Sequence, residues 1–124
     1  VYSRHDVPPR IEGLTDTGEA SEGEKQARRA VREADELNLV GHRIKLADFL
    51  SYVLMRQGRF DEAAAASLKG VEAWRASGSK GAGLIHGAGL AERLLLGGME
   101  EEASEVLDAH LVLAEAAKAR TRST

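Results

Sequence analysis

Cysteine is absent from this 124-residue chain, and proline (2 residues) and aromatic side chains (4%) are scarce. Without cysteine, the chain has no disulfide, no thiolate nucleophile and no cysteine-ligated metal. The few aromatics disfavour a β-sandwich, whose strands are enriched in aromatic and β-branched residues. No apolar run reaches the roughly 18 residues of a membrane span, and the first residues lack the apolar core of a signal peptide. We therefore expect a cytoplasmic protein with no membrane partner.

The charge balance is mildly acidic, with 17 Lys and Arg against 20 Asp and Glu and a net charge of −3. A protein that binds nucleic-acid phosphates needs a basic face, so we expect no direct nucleic-acid partner. Apolar residues make up 43% of the chain, which is too many for full disorder. The length allows one domain.

Five segments carry apolar residues at the three- and four-residue spacing of amphipathic helices. They cover about 24–38, 42–57, 60–76, 82–96 and 99–119, and glycines, including Gly41 after the first segment, are expected to separate them. Leu37 and Asn38 are expected at the end of the first apolar stripe. Residues 1–23, which contain both prolines, are expected to form an irregular leader, and 119–124 a disordered tail. Helices joined by such short turns predict an all-α domain of antiparallel hairpins over 24–118.

An internal repeat links the middle of the chain to its last third. A shift of 40 residues places Gly41 on Gly81, Ile44 on Leu84, Leu50 on Leu90, Leu54 on Leu94, Gly58 on Gly98, Glu62 on Glu102 and Ala63 on Ala103. The leucine pair would hold the first helix of a hairpin, the glycine would form the turn, and the alanine would begin the second helix where two backbones come close. Leu50 and Leu90 are therefore expected to be equivalent core positions.

This pattern resembles a tetratricopeptide-type repeat, with Ser51 and Ala91 at the family's small-residue position on the first helix. The period departs from the family, being near 40 rather than about 34. The family's small residue on the second helix is Gly70 in one copy, but the other copy has His110. The resemblance implies a short right-handed solenoid of about two and a half repeats and five helices. The stretch 46–63 is also similar to the repeat arrays of large ATP-binding LuxR-type transcriptional regulators of bacteria.

The first helices of tetratricopeptide hairpins line a concave face, so the resemblance implies a partner-binding groove. Its register places ten residues there: Lys45, Asp48, Tyr52, Met55, Arg56, Ile85, Ala88, Glu92, Leu95 and Leu96. Such a mixture of an aromatic, opposite charges and apolar side chains suits a binding groove. The alternative is that Met55, Leu95 and Leu96 belong to the core and that the charged residues are solvated.

No catalytic, cofactor or metal motif is present, so we expect a protein that is not an enzyme and has no cofactor. The glycines between 78 and 87 match no phosphate loop and are expected to serve a turn and close helix packing. His86 is expected to be an interfacial histidine with a hydrogen-bond partner. Glu100, Glu101 and Glu102 are expected to complement a helix dipole.

The expected function is protein or peptide binding by a segment of a larger bacterial regulatory protein. The alternative is a purely structural solenoid segment, or a small stand-alone scaffold with no ligand. Self-association through exposed terminal helices is a further expectation. It is based on the first helix, whose stripe is expected to lack part of its cover, and on an apolar edge of the last helix. The stripe consists of Ala27, Ala30, Val31 and Ala34, and the edge of Leu111, Leu113 and Ala117.

Overall fold

Five α-helices form the described part of the protein. The computed structural model describes residues 18–123, with side chains from 22 to 122, and within these bounds it contains no strand. The helices are α1 (Gly18–Glu36), α2 (Val40–Arg56), α3 (Phe60–Ser77), α4 (Lys80–Leu96) and α5 (Glu100–Ser123). The prediction of an all-α chain with five helices is therefore confirmed.

A residue with a left-handed backbone lies in each of the four turns. The φ angle is 56° at Asn38, 76° at Gly58, 66° at Gly78 and 85° at Gly98. Glycine adopts this conformation without a Cβ penalty, and asparagine tolerates it better than most residues, so both end helices well. The repeat extends to the turns, because Asn38 and Gly78 are 40 residues apart, as are Gly58 and Gly98.

Asn38, not Gly41, ends the first helix. Gly41 lies inside α2, so its expected role as a helix stop was wrong. Leu37 and Asn38 follow the end of α1, and both are exposed instead of extending its buried stripe. The difference arises because the conformation of Asn38 closes the helix earlier than the apolar spacing alone indicates.

Helices α1 and α5 both extend beyond their expected limits. Helix α1 begins at Gly18, inside the region expected to be an irregular leader, and α5 continues through the expected tail to Ser123. Residues 1–17 and 124 lie outside the described residues. Basic side chains in the last turn of α5, Arg120 and Arg122, favour the negative end of the helix dipole. Glu100, Glu101 and Glu102 occupy its first turn, as expected.

Consecutive helices pack as antiparallel neighbours. Across α4 and α5, Gly83 faces Leu113 and Gly87 faces His110, so numbers that rise along one helix fall along the other. Helix α2 also contacts α4 directly. The α2–α3 hairpin therefore lies beside the α4–α5 hairpin, with the two first helices adjacent.

Two apolar clusters form the core. Ala27 of α1 packs with Leu50, Leu54 and Ala63 of the first hairpin. Because Ala27 and Ala34 are both buried, the expectation that their part of the α1 stripe lacks cover was wrong. The second cluster joins α3 to the second hairpin and consists of Val71, Leu90, Ala91, Leu94, Ala103 and Val106. Leu50 and Leu90 are buried at equivalent positions, as the repeat predicts, and Ser51 and Ala91 are both buried at the small-residue position. None of the described helices is long and apolar enough to cross a bilayer.

Candidate functional site

A continuous surface forms where α2 and α4 lie side by side. On α2 it presents Lys45, Asp48, Tyr52 and Arg56, one or two turns apart. On α4 it presents Ile85, Glu92 and Leu96 on the side open to solvent, and His86 and Arg93 on the side toward α2. We call this surface the α2–α4 face. The helical period brings these residues to one side of each helix because they are three, four or seven positions apart.

A partly buried ionic cluster joins the two helices at this surface. Asp48 Oδ2 lies 2.7 Å from His86 Nδ1, and Asp48 Oδ1 lies 3.2 Å from Arg93 Nη2. Arg93 is only 6% exposed. Hydrogen bonds to a charged group are stronger than neutral ones, particularly away from water. The cluster therefore fixes α4 against α2 at a definite register.

Gly89 provides the space for this cluster. It lies between His86 and Arg93 on α4, and a Cβ atom at this position would collide with Arg93 Nη1 and come within 3.1 Å of Asp48 Oδ1. A side chain here would require the end of the Arg93 side chain to move. The glycine costs roughly 1 kcal/mol of helix propensity.

The ring of Tyr52 contacts two guanidinium groups at the surface end of the cluster. The Cζ atoms of Arg56 and Arg93 are 5.8 Å and 5.5 Å from the centre of its ring. Arg56 Nη1 also donates a hydrogen bond to the Tyr52 hydroxyl over 3.3 Å. Both separations are within the range of cation–π attraction. The ring is held in place yet remains 41% exposed.

The structure divides the ten predicted groove residues into three groups. Asp48, Tyr52 and Arg56 take part in the cluster just described. Met55 packs against the core beside Leu50 and Leu54. The remaining six are exposed, namely Lys45, Ile85, Ala88, Glu92, Leu95 and Leu96.

The alternative expectation was that Met55, Leu95 and Leu96 belong to the core. It is confirmed for Met55, which packs against the core, and wrong for Leu95 and Leu96, which are exposed. Its expectation of solvated charges fails for Asp48, which is paired with Arg93 and His86. The role of these residues in binding a partner stays a prediction.

Three residues of the cluster were missing from the predicted groove. His86 was expected to have a partner at a helix interface, and its contact with Asp48 confirms this. Arg93 and Gly89 were not assigned to this face. The signal for Arg93 was its place between Leu90 and Leu94 on the most apolar helix, two turns after His86. An arginine flanked by core leucines has to find an anion or bend away from the core.

Two grooves open on the other side of the molecule. One of about 400 Å³ lies over α2 between α1 and α3, with Leu50, Leu54 and Ala66 among its apolar lining and Arg32 and Lys69 among its cations. The other, of about 450 Å³, lies between α3 and α5.

An ion network at one end of the first groove joins α1 to α3. Arg59 Nη1 lies 2.6 Å from Glu24 Oε1, and Arg59 Nη2 lies 2.8 Å from Glu62 Oε1. Arg28 Nε lies 2.8 Å from the other oxygen of Glu24. Burial raises the pKa of Glu24, but the hydrogen bonds and charges of Arg28 and Arg59 outweigh it and hold this pKa below its usual value. The hydrogen bond from Arg59 likewise lowers the pKa of Glu62.

Among residues 22–122, no group of three or more acidic or histidine side chains converges to hold a metal ion. No protein-family model matches the chain, and no curated protein or solved structure is significantly similar to it. The α2–α4 face is therefore the candidate functional site.

Proposed function

We propose that this chain is a helical-repeat interaction module that binds a segment of another protein across the α2–α4 face. The observation that carries the proposal is the exposed side chain of Tyr52, whose ring is in contact with the guanidinium groups of Arg56 and Arg93. A binding surface loses less entropy when its aromatic anchors are fixed beforehand. Tyrosine and arginine are also the residues that most often dominate binding energy at interfaces.

Apolar side chains on the α4 part of the α2–α4 face indicate the chemistry of the ligand. Ile85 is 73% exposed, and Leu96 is exposed on the same helix. Lys45 and Glu92 border them with opposite charges. The face therefore suits a peptide segment that presents one or two apolar side chains to α4, an aromatic or planar group to Tyr52, and polar groups to the borders.

We also propose that the hairpins are tetratricopeptide-like repeats arranged as a right-handed solenoid in a larger cytoplasmic regulatory protein of bacteria. The 40-residue correspondence of turns, core leucines and small residues supports the repeat assignment. The stretch 46–63, which resembles the arrays of LuxR-type regulators, supports the parent protein. The two assignments are separable, because a repeat of this kind serves many parent proteins.

A purely structural solenoid segment is the second candidate. It is favoured by the exposed leucines 95, 107 and 111, which lie on the α4–α5 hairpin and would be covered if another hairpin stacked there. Under this alternative the α2–α4 face has no ligand. The two candidates therefore differ in whether that face selects a peptide sequence.

A peptide-display selection tests the proposal. Random short peptides are selected on the wild-type protein, and the enriched peptides are then measured by fluorescence anisotropy against Tyr52→Ala and Ile85→Asp. Truncation of a tyrosine anchor typically costs about 2 kcal/mol or more, so we expect affinity to fall by about thirtyfold for Tyr52→Ala. Val112→Asp is the matched control for Ile85→Asp, since Val112 is similarly exposed (68%) but lies on α5.

Circular dichroism establishes that each variant retains its helices before affinity is compared. Binders that lose affinity for both face variants and keep it for Val112→Asp would support the proposal. A library that yields no binder, or binders that retain full affinity for Tyr52→Ala and Ile85→Asp, would instead favour the structural alternative.

A further inference from the structure

Helix α5 has an outer side that no described helix covers. With 24 residues it is longer than its hairpin partner α4, which has 17. Its inner side packs on the core through Ala103 and Val106. Six residues follow one line along the flank of the helix, beside this inner side: Glu100, Ser104, Leu107, Leu111, Ala114 and Lys118. All are exposed except Ala114, which is half-buried, and we call them the outer stripe.

The spacing of the outer stripe is that of a seam between two helices. Its members are separated by four, three, four, three and four positions. This alternation keeps one line of side chains facing a partner helix over several turns. The centre of the stripe is apolar, with Leu107 41% and Leu111 50% exposed. A seam of this kind is normally buried.

The stripe is complementary to itself when a second copy runs in the opposite direction. With Leu107 placed opposite Leu111 of the second copy, Ser104 faces Ala114 and Glu100 faces Lys118. The leucines meet at the centre, and small residues beside them allow the backbones to approach. At each end of the helix pair, Glu100 of one copy then meets Lys118 of the other. The contact occurs twice because a two-fold interface repeats every contact.

The charges along the rest of α5 favour the same direction. Its first turn carries Glu100, Glu101 and Glu102, and its last turn carries Arg120 and Arg122. Antiparallel pairing brings the acidic end of one helix to the basic end of the other, and it also opposes the two helix dipoles favourably. Parallel pairing would instead place acidic turns together.

We infer that two copies of this chain associate about a two-fold axis through an antiparallel pair of α5 helices, with the outer stripes in contact. The inference is independent of the proposed function, because the outer stripe shares no residue with the α2–α4 face. Charge complementarity points to a second copy as the partner, because the same stripe in the reversed direction places an opposite charge at each end.

Light scattering over a concentration series tests the apolar centre. We expect the wild-type mass to rise from 13.3 kDa toward twice that value, and Leu107→Asp and Leu111→Asp to remain monomeric over the same range. Val112→Asp is the matched control on the same helix; Val112 is 68% exposed but lies off the stripe, so this variant should dimerise as the wild type does. A wild-type protein that stays monomeric at every concentration would overturn the inference. So would a dimer that survives both leucine variants.

A charge exchange tests the direction and register without disturbing the core. Glu100→Lys and Lys118→Glu should each weaken the dimer about tenfold, since each turns two attractive end pairs into repulsive ones. The double variant should restore the wild-type affinity. Lys118→Glu also loses an exposed contact with Glu115 in its own helix, and the double variant does not restore that contact, so recovery would report on pairing between copies.

Glu101→Lys, with the same charge change in the same turn but off the stripe, is the control for Glu100→Lys and should leave the dimer unchanged. A double variant that dimerises no better than the single variants would overturn the antiparallel register. Equal weakening by Glu101→Lys would overturn it as well, because the effect would then depend on net charge alone.

Discussion

Ala47 and Gly70 meet where α2 and α3 come closest, and exchanging them should separate helix propensity from packing. A methyl group added at Gly70 would lie 2.8 Å from Cβ of Ala47 and 3.3 Å from Cδ2 of Leu90. In the second hairpin the equivalent pair is Gly87 and His110, where a methyl group at the glycine would lie 2.9 Å from Cβ of His110. Each hairpin thus places one glycine at the crossing, but on opposite helices.

The free energy of unfolding should respond to the single substitutions unequally. Gly70→Ala gains about 1 kcal/mol of helix propensity but overpacks the crossing by about 2 kcal/mol, for a net loss near 1 kcal/mol. Ala47→Gly loses about 1 kcal/mol of propensity and about 0.8 kcal/mol from one buried methyl group. In the double variant the two changes in helix propensity cancel. The methyl group is moved from position 47 on α2 to position 70 on α3, so the crossing still contains one methyl group. We therefore expect the free energy of unfolding of the double variant to lie within about 1 kcal/mol of the wild-type value. The losses of the two single variants would add up to about 3 kcal/mol.

Urea unfolding followed by circular dichroism measures all four proteins. A coupling of about 2 kcal/mol between the two positions is the expected result, with unchanged dependence on urea concentration. Additive single effects would refute the reasoning, since they would show that the two side chains do not compete for one space. A stabilised Gly70→Ala variant would refute it too, because propensity would then outweigh the close approach.

The remaining predictions concern the core and the ion network. Leu50→Ala and Leu90→Ala should each lower the free energy of unfolding by about 2–5 kcal/mol, since both leucines are buried; melting within a degree or two of the wild type would contradict the register. The lowered pKa values of Glu24 and Glu62 stabilise the fold above the usual pKa of glutamate, and this stability is lost as pH falls through the folded-state values. The urea midpoint should therefore decrease below about pH 5, and Glu24→Gln should flatten that decrease; an unchanged pH profile in this variant would argue against the Arg28 and Arg59 contacts.

The turns show how much local sequence predicts. Gly58 and Gly98 were expected to end helices, and both have the left-handed backbone that only a few residue types adopt readily. Asn38 has the same conformation, but its position at helical spacing made it look like part of the first stripe. Glycine signals a turn by its chemistry alone, whereas asparagine does so only in context.

The crossing of α4 and α5 shows why tertiary structure was needed for the repeat. His110 was a departure from the family pattern when its own helix was considered alone. Against α4 it is compensated by Gly87, and His110 Nδ1 lies 3.1 Å from the carbonyl oxygen of Gly83. Whether a large side chain on one helix meets a small residue on the next depends on which residues face each other. The sequence of one helix does not contain that information.

The sequence by itself determined the number and type of the helices, the glycine turns and the core leucines. Each of these depends on residues within one or two helical turns, where periodicity and backbone preference act directly. Only the tertiary structure decided that Asp48 pairs with His86, which is 38 residues away, and with the buried Arg93. It likewise decided that Leu107 and Leu111 remain exposed. These outcomes depend on how far each helix rotates and slides against its neighbours, which the packing of the whole assembly sets.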